Sequence, residues 1–425
     1  MKRVLVLLLA MIMIFALVGC NNNAENQPTP EKTQPTEPSV TDQTEGEPIL
    51  IWIPGDEKEY AYYFSMFENY KAKVEADGGT FNYTIEQQPW GDYWTKLPLE
   101  VNNGRGPDLF YTHMAYSDIL VPLAKELDFD QATLDKFENY ELYTNDSGKP
   151  VLIPTTFVCK IMYANADVVG EMPEYPTTWE DFTALAKQYT DKQKGVIGFD
   201  YSFHLLWDLG YQNGKTITDA NGAVTFDGVA QSLETLKKWQ DEGFTEYLQY
   251  GNGSPEDALY QGSAAFIYGE PWMEFWAPSD VKTIAFPVPG GKTHNFAELT
   301  FGINKNVSGE KYKTLNDFVK FMLTDEKTIT DIVKGNSGYP NNKDIKVTYE
   351  PNTAGAAVLK TFEAGNTNLA VPPSGLENVY KTMLESVLTG TSVEDAIAEA
   401  KINVQSVDVA KLKAMEDKFR DKIAK

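Results

Sequence analysis

Between Cys20 and Ile49 the chain reads "NNNAENQPTPEKTQPTEPSVTDQTEGEP", a run of Pro, Thr, Glu, Gln and Asn almost without bulky apolar residues. A segment of that kind cannot bury enough surface to offset the entropy lost on ordering. Whatever folds must therefore begin at its far end. Beyond it, the chain has ample material: 42% of its 425 residues are hydrophobic, and the length suggests two or more lobes. Against 61 acidic residues stand 37 Lys and Arg, a net charge of −24 with no basic run. That balance excludes nucleic acid as a partner, because phosphate binding needs a concentrated cationic face. A neutral or cationic partner fits better.

Ahead of the polar run, "MKRVLVLLLAMIMIFALVGC" places Lys2 and Arg3 before an apolar stretch that ends in a small residue and a cysteine. This is the pattern of a targeting segment. "LVGC", Leu17 to Cys20, resembles the bacterial lipobox, which implies that residues 1–19 are a lipoprotein signal peptide and that Cys20 is acylated and becomes the mature N-terminus. Residues 20–47 are then a disordered tether between the cell membrane and an extracellular body, as on a bacterium with one membrane. The remaining thiol, Cys159, has no disulfide partner and reads as a small buried hydrophobe.

The body starts at "ILIWIPG", a β-branched and aromatic run closed by Pro-Gly, which predicts a buried strand and a loop. Helix patterns follow at intervals. In "TTWEDFTALAKQY", Thr178 caps the backbone, Asp181 reaches back, and Phe182, Leu185, Ala186 and Tyr189 share one face. Leu315, Phe318, Val319 and Met322 form a second stripe; Val393, Ala396, Ile397 and Ala400, behind the cap Ser392, form a third. Asn221-Gly222 predicts a tight turn that needs positive φ angles. Alternating strands and helices point to an α/β fold.

Catalytic chemistry finds little footing. The only histidines, His113, His204 and His294, stand far apart with no second ligand three or four residues on, so no metal site is expected. "PVPGGKT" lacks the leading glycine of a phosphate loop, since Phe286 occupies its place. Glycoside hydrolysis needs only two spaced carboxylates, and Glu270 and Glu274 could share a helical turn. A lipid-anchored glycoside hydrolase therefore stays open as an alternative. So does a non-transport surface or adhesion lipoprotein, which would have a filled space between its lobes.

Several stretches, taken in order, resemble the extracellular solute-binding proteins of ABC sugar importers, the maltose-binding-protein-like group. They are "ILIWIPGD", "GRGPDLFYTHM", "IPTTFVCKIMYANADVV", "PTTWEDFTALAK", "ALYQGSAAFIYGEPW", "FGINK" and "LTGTSVEDAIAEA", and they run from about residue 48 to the C-terminus. The resemblance implies a periplasmic-binding-protein-like fold of two α/β lobes with a ligand cleft between them: residues 48–155 and 297–350 as lobe 1, residues 156–296 and 351–425 as lobe 2. It implies a monomeric, non-enzymatic protein without cofactor that captures an oligosaccharide and delivers it to ABC permease subunits.

The same resemblance proposes contacts. The loop after "GPDLFY" supplies Thr112, His113 and Tyr116, although the chain reads "THMAY" where maltodextrin-binding relatives carry an Asp-Arg pair. Phe157 and Val158 stand where those relatives carry a sugar-binding glutamate. Tyr201, Phe203, His204 and Trp207 come from a second-lobe segment; Tyr380, with Glu377 or Asn378 beside it, from a later one; Asn295 and Glu298 lie at an expected lobe crossing. Sugars present flat C–H faces ringed by hydroxyls, so their sites combine aromatic platforms with a few polar groups. "YGEPWMEFW", Tyr268 to Trp276, offers such a platform: Gly269 and Pro271 end a strand, which leaves Glu270 and Trp272 at a loop or helix start. In sugar-binding members of the family a similar stretch carries a stacking tryptophan. Trp272 is expected to be that residue here, with Phe275 and Trp276 packed under or beside it.

Overall fold

The computed structural model describes residues 47–55, 57–113, 116–172, 174–247, 255–298, 300–369 and 372–423; the leader, Cys20 and the tether up to residue 46 lie outside them. The described strands are β1 (Ile49–Pro54), β2 (Tyr83–Gln88), β3 (Leu109–Thr112), β4 (Thr156–Cys159), β5 (Ile161–Asn165), β6 (Ile197–Tyr201), β7 (Ala264–Gly269), β8 (Thr283–Phe286), β9 (Thr293–Glu298), β10 (Thr300–Ile303), β11 (Tyr339–Pro340) and β12 (Thr367–Leu369). The helices used below are α1 (Glu57–Ala76), α2 (Trp90–Asn102), α3 (Trp179–Gln188), α4 (Leu205–Gln212), α5 (Met273–Trp276), α6 (Gly309–Thr324), α7 (Glu326–Gly335), α8 (Ala354–Glu363), α9 (Ser374–Leu388), α10 (Val393–Asn403) and α11 (Ala410–Ile423).

The strands form three four-stranded sheets. In the first, ordered β10-β3-β1-β2, the "ILIWIP" strand lies between two parallel neighbours while β10 runs antiparallel at the edge. A strand held in a parallel sheet is covered on both faces, which is why β1 is apolar throughout and not alternating. Its core includes Ile51, Ile53, Phe67, Phe110 and Phe318, with the Phe67 and Phe318 rings stacked at 4.9 Å. In the second sheet, β6-β7-β5-β8, a separate core gathers Phe182, Phe199, Phe266, Leu233 and Leu384 on one face. On the other face Ile161, Tyr163 and Ile267 meet Ala357 and Val358 of α8. Two sheets with two cores make two lobes. The third sheet, β11-β4-β9-β12, carries the chain between them: β4 continues into β5, and β9, antiparallel to β4, leads toward β10.

The predicted helical stripes are buried as their spacing requires. Thr178 Oγ1 accepts from Asp181 N and donates to the Asp181 carboxylate at the start of α3, where Phe182 and Ala186 are buried. Leu315, Phe318, Val319 and Met322 all face inward on α6, and Ser392 caps α10 through Asp395 N. At the Asn221-Gly222 turn only Gly222 takes a positive φ, 89°, so the expectation of two such angles is corrected. Asp219 fills the gap: its carboxylate accepts from Asn221 N and Ala223 N, fixing the turn from two residues earlier.

The C-terminal helix α11 touches both lobes. Lys411 donates to Ser117, and Lys418 donates to Asn139 and Glu141, in the first. Glu416, fully buried, accepts from Ile217 N, Thr218 N and Thr218 Oγ1 in the second.

Candidate ligand-binding site

A cavity of about 790 Å³ opens between elements of the two lobes. One wall starts on α2. Tyr93, Leu97 and Val101 face the core, and Tyr93 OH donates to Tyr111 O at 2.6 Å, which pins the helix to β3. Trp90 and Trp94, four apart on the same helix, line the cavity instead. The Trp94 ring lies parallel to that of Tyr116, 4.0 Å between centroids and 9° between planes. Tyr63 of α1, Tyr111 of β3 and His113 complete this side. Its rings are held by one another before any ligand arrives, so little ordering entropy remains to be lost on binding.

The opposite wall grows from the end of β7. A Cβ on Gly269 would lie 2.4 Å from Met273 Sδ, so glycine there leaves room for the Met273 side chain to pack against the end of the strand. Two further contacts hold the turn. Tyr163 OH donates to the Glu270 and Pro271 carbonyls, and the Glu270 carboxylate pairs with the buried Lys160 ammonium. Trp272 follows, edge-on to Phe296 at 5.7 Å, and Phe275 and Trp276 of α5 join it. Gly335, the last residue of α7, and Asn336, its C-cap, also line the cavity.

Of the residues singled out in the sequence, Trp272, His113 and Tyr116 line the cavity. Glu270 supports the turn from behind, and His204, half-buried, stands 3.8 Å from Glu377. Five others are packed away from it. Thr112 ends β3 at 1% exposure; Phe157 on β4 stacks on Phe362; Tyr201 stacks on Tyr247; Tyr380 packs between Trp207 and Phe226, and Trp207 itself is buried. Each lies on the core side of a strand or helix, a choice that residue type does not reveal. Glu298 pairs through its backbone with Thr156, and its side chain lies outside the described residues, as does Cys20.

The cavity also holds residues the sequence reading did not single out: Trp90, Trp94, Tyr63 and Tyr111. Of these, Trp90 and Trp94 stand in "PWGDYW" at the spacing that shares one helical face with Tyr93, Leu97 and Val101, so the sequence reads as a single apolar stripe and does not separate cavity rings from core rings. Phe275 and Trp276, expected under or beside Trp272, line the same cavity with it, and Phe275 is 48% exposed.

The acid pair Glu270 and Glu274 is occupied by the fold. Glu270 holds Lys160, and Glu274 accepts from Ala354 N at the start of α8. No Asp or Glu is among the described residues lining the cavity. The described residues contain no group of three that could hold a metal ion, and none of their helices is long and apolar enough to cross a membrane.

Residues 65–358 match the family model of the bacterial extracellular solute-binding proteins, well over half of the chain. The chain belongs to that family. Solved structures of solute-binding proteins share its two-lobed fold. One is the ABC substrate-binding protein Lmo0181 from Listeria monocytogenes in complex with cycloalternan, 20% identical with a TM-score of 0.67, aligned over 84% of this chain and 97% of that one. Another is a cyclic alpha-maltosyl-1,6-maltose binding protein from Arthrobacter globiformis, 19% identical with a TM-score of 0.68, over 87% and 99%. A third is the GacH receptor of Streptomyces glaucescens, solved unliganded and with acarbose, 18% identical with a TM-score of 0.68, over 86% and 98%. At such identities the likeness is one of fold. For a solute-binding protein, the space between the lobes is where a solute can touch both at once.

Proposed function

We propose that this protein captures a neutral oligosaccharide between its lobes and delivers it to the permease of an ABC importer, without chemical change to the sugar. The observation that carries this is the cavity's composition: aromatic rings face it from both lobes, with no described carboxylate among them. Rings suit the C–H faces of sugars, and glycoside hydrolysis would need two carboxylates flanking the bond. The family membership and the sugar-binding proteins of like fold support the same reading. An adhesion lipoprotein with a filled space between its lobes fits the cavity less well.

The lobes are residues 48–155 with 297–350, and 156–296 with 351–425, hinged at β4 and β9. The protein is a monomer anchored through a lipid on Cys20, with residues 20–47 as its tether. Calorimetry and thermal shift with a panel of neutral oligosaccharides test the function. Binding to one or more is expected; binding only to peptides or amino acids would reject it. For the anchor, Cys20→Ala is expected to abolish fatty-acid labelling and release the protein into the medium, and a variant that stays labelled on the membrane would refute it.

A further inference from the structure

Lys160 is buried at the single residue that separates β4, which carries the chain between the lobes, from β5 of the second sheet. On one side of it Cys159 pairs with Asn295 of β9; on the other Ile161 pairs with Gly269, the last residue of β7. Continued by one step, that antiparallel register sets Lys160 opposite Glu270, and the two side chains form an ion pair with 2% and 16% of their surfaces exposed. The Lys160 ammonium also lies 5.8 Å from the centre of the Tyr268 ring. Glu270 opens the turn that carries Trp272. Tyr163 OH holds the same turn from β5, donating to the Glu270 and Pro271 carbonyls at 3.1 and 2.9 Å.

Such a pair is a poor device for stability alone. Taking both charges out of water costs most of what their attraction returns, and apolar side chains of similar volume often serve a fold as well or better. What a charge-assisted hydrogen bond adds is a fixed direction and distance. Here it fixes a residue two positions ahead of Trp272, whose ring meets Phe296 edge-on and faces the cavity. Lys160 itself is not among the described residues lining the cavity.

We propose that Lys160 is a positioning residue for ligand binding: it holds Glu270, and through Glu270 the turn that aims Trp272 into the cavity. The inference rests on the oligosaccharide reading for the identity of the ligand.

Lys160→Met alone would strand the Glu270 carboxylate, so the test uses Lys160→Met/Glu270→Gln, in which both charges are gone. Calorimetry with maltotetraose and cellotetraose should show binding about tenfold weaker than in the parent, while the melting temperature stays near the parent's or rises. In a Trp272→Ala background the same double substitution should cost little further affinity, because no ring is left to misplace. An equal loss in the two backgrounds, or stability lost with affinity intact, would overturn the proposal, since either result makes the pair a contact that does not act through Trp272. A second measurement needs no sugar. With 5-fluorotryptophan incorporated, the fluorine resonance of Trp272, assigned by its absence from Trp272→Phe, should shift or broaden in the doubly neutral variant, while those of the buried Trp52 and Trp239 stay in place. If neither sugar binds, the choice of ligand is wrong, and the fluorine spectrum still decides the positioning claim: a Trp272 resonance that does not change sinks it.

Discussion

Single side chains divide into those that meet the ligand and those that set the terms of folding. Trp272 is half-buried against Phe296 at the rim of the core that α8 covers and faces the cavity, so truncating it removes chiefly a stacking surface. Trp272→Ala is expected to weaken sugar binding by roughly 5- to 150-fold, the equivalent of ~1–3 kcal/mol, with the unliganded melting temperature nearly unchanged. Asp200 shows the other kind of residue. It is fully buried, its Oδ1 accepts from Tyr201 N at 2.8 Å, its Oδ2 has no hydrogen-bond partner, and burial raises its pKa from 3.8 to about 7. Between those values the folded protein keeps a proton that the unfolded chain has released, so stability falls as pH rises through the window. Asparagine has no proton to lose and can still accept from Tyr201 N. Asp200→Asn should therefore be neutral near about pH 4 and more stable than the parent by up to about 4 kcal/mol near about pH 8. Urea unfolding at several pH values checks this; a difference that does not grow with pH would show that Asp200 is not the titrating group.

At the scale of elements, the strands and helices were legible because their periodicity is local. The Phe182 and Leu315 stripes, the caps Thr178 and Ser392 and the "ILIWIP" strand each announce themselves within a few residues. Facing direction was not legible where two aromatic positions compete. Tyr201 and Tyr380, which by resemblance stand at the ligand, lie in the core, while Trp90 and Trp94 line the cavity. Only the packing of α2 on β3 decides which of its rings turn outward, and that contact joins segments the sequence keeps apart. The role of α11 was equally hidden. Its charged residues look like a solvated face, yet Glu416 reaches the second lobe while Lys411 and Lys418 hold the first. Removing the Glu416 carboxylate would orphan the buried Ile217 and Thr218 N–H groups. Burial pushes the carboxyl pKa up, while the hydrogen bonds from Thr218 and Ile217 act against that shift. Glu416→Ala is expected to lower stability by about 2–4 kcal/mol in urea unfolding, whereas an unchanged midpoint would mean that α11 is not fastened there.

For the molecule as a whole, the site exists only as a relation between lobes. Trp90, Trp94 and Tyr116 stand on the first, and Trp272, Phe275 and Trp276 stand on a turn of the second, so no single lobe offers a ligand more than one wall. A ligand can favour the closed arrangement only by the contacts it gains there and lacks in the open one. Rings on both walls supply that difference, and β4 and β9, paired antiparallel, carry the chain between the two sheets that flank the cavity. Trp272→Ala should thus do more than weaken binding: with one wall reduced, the sugar still held by Trp94 and Tyr116 loses part of its reason to close the cleft. Small-angle X-ray scattering separates the two effects, because sugar can be raised until both proteins are saturated. The parent's radius of gyration should then fall, and that of Trp272→Ala should fall less at equal occupancy. A parent that binds sugar tightly with its radius unchanged would show that the ligand does not close the lobes.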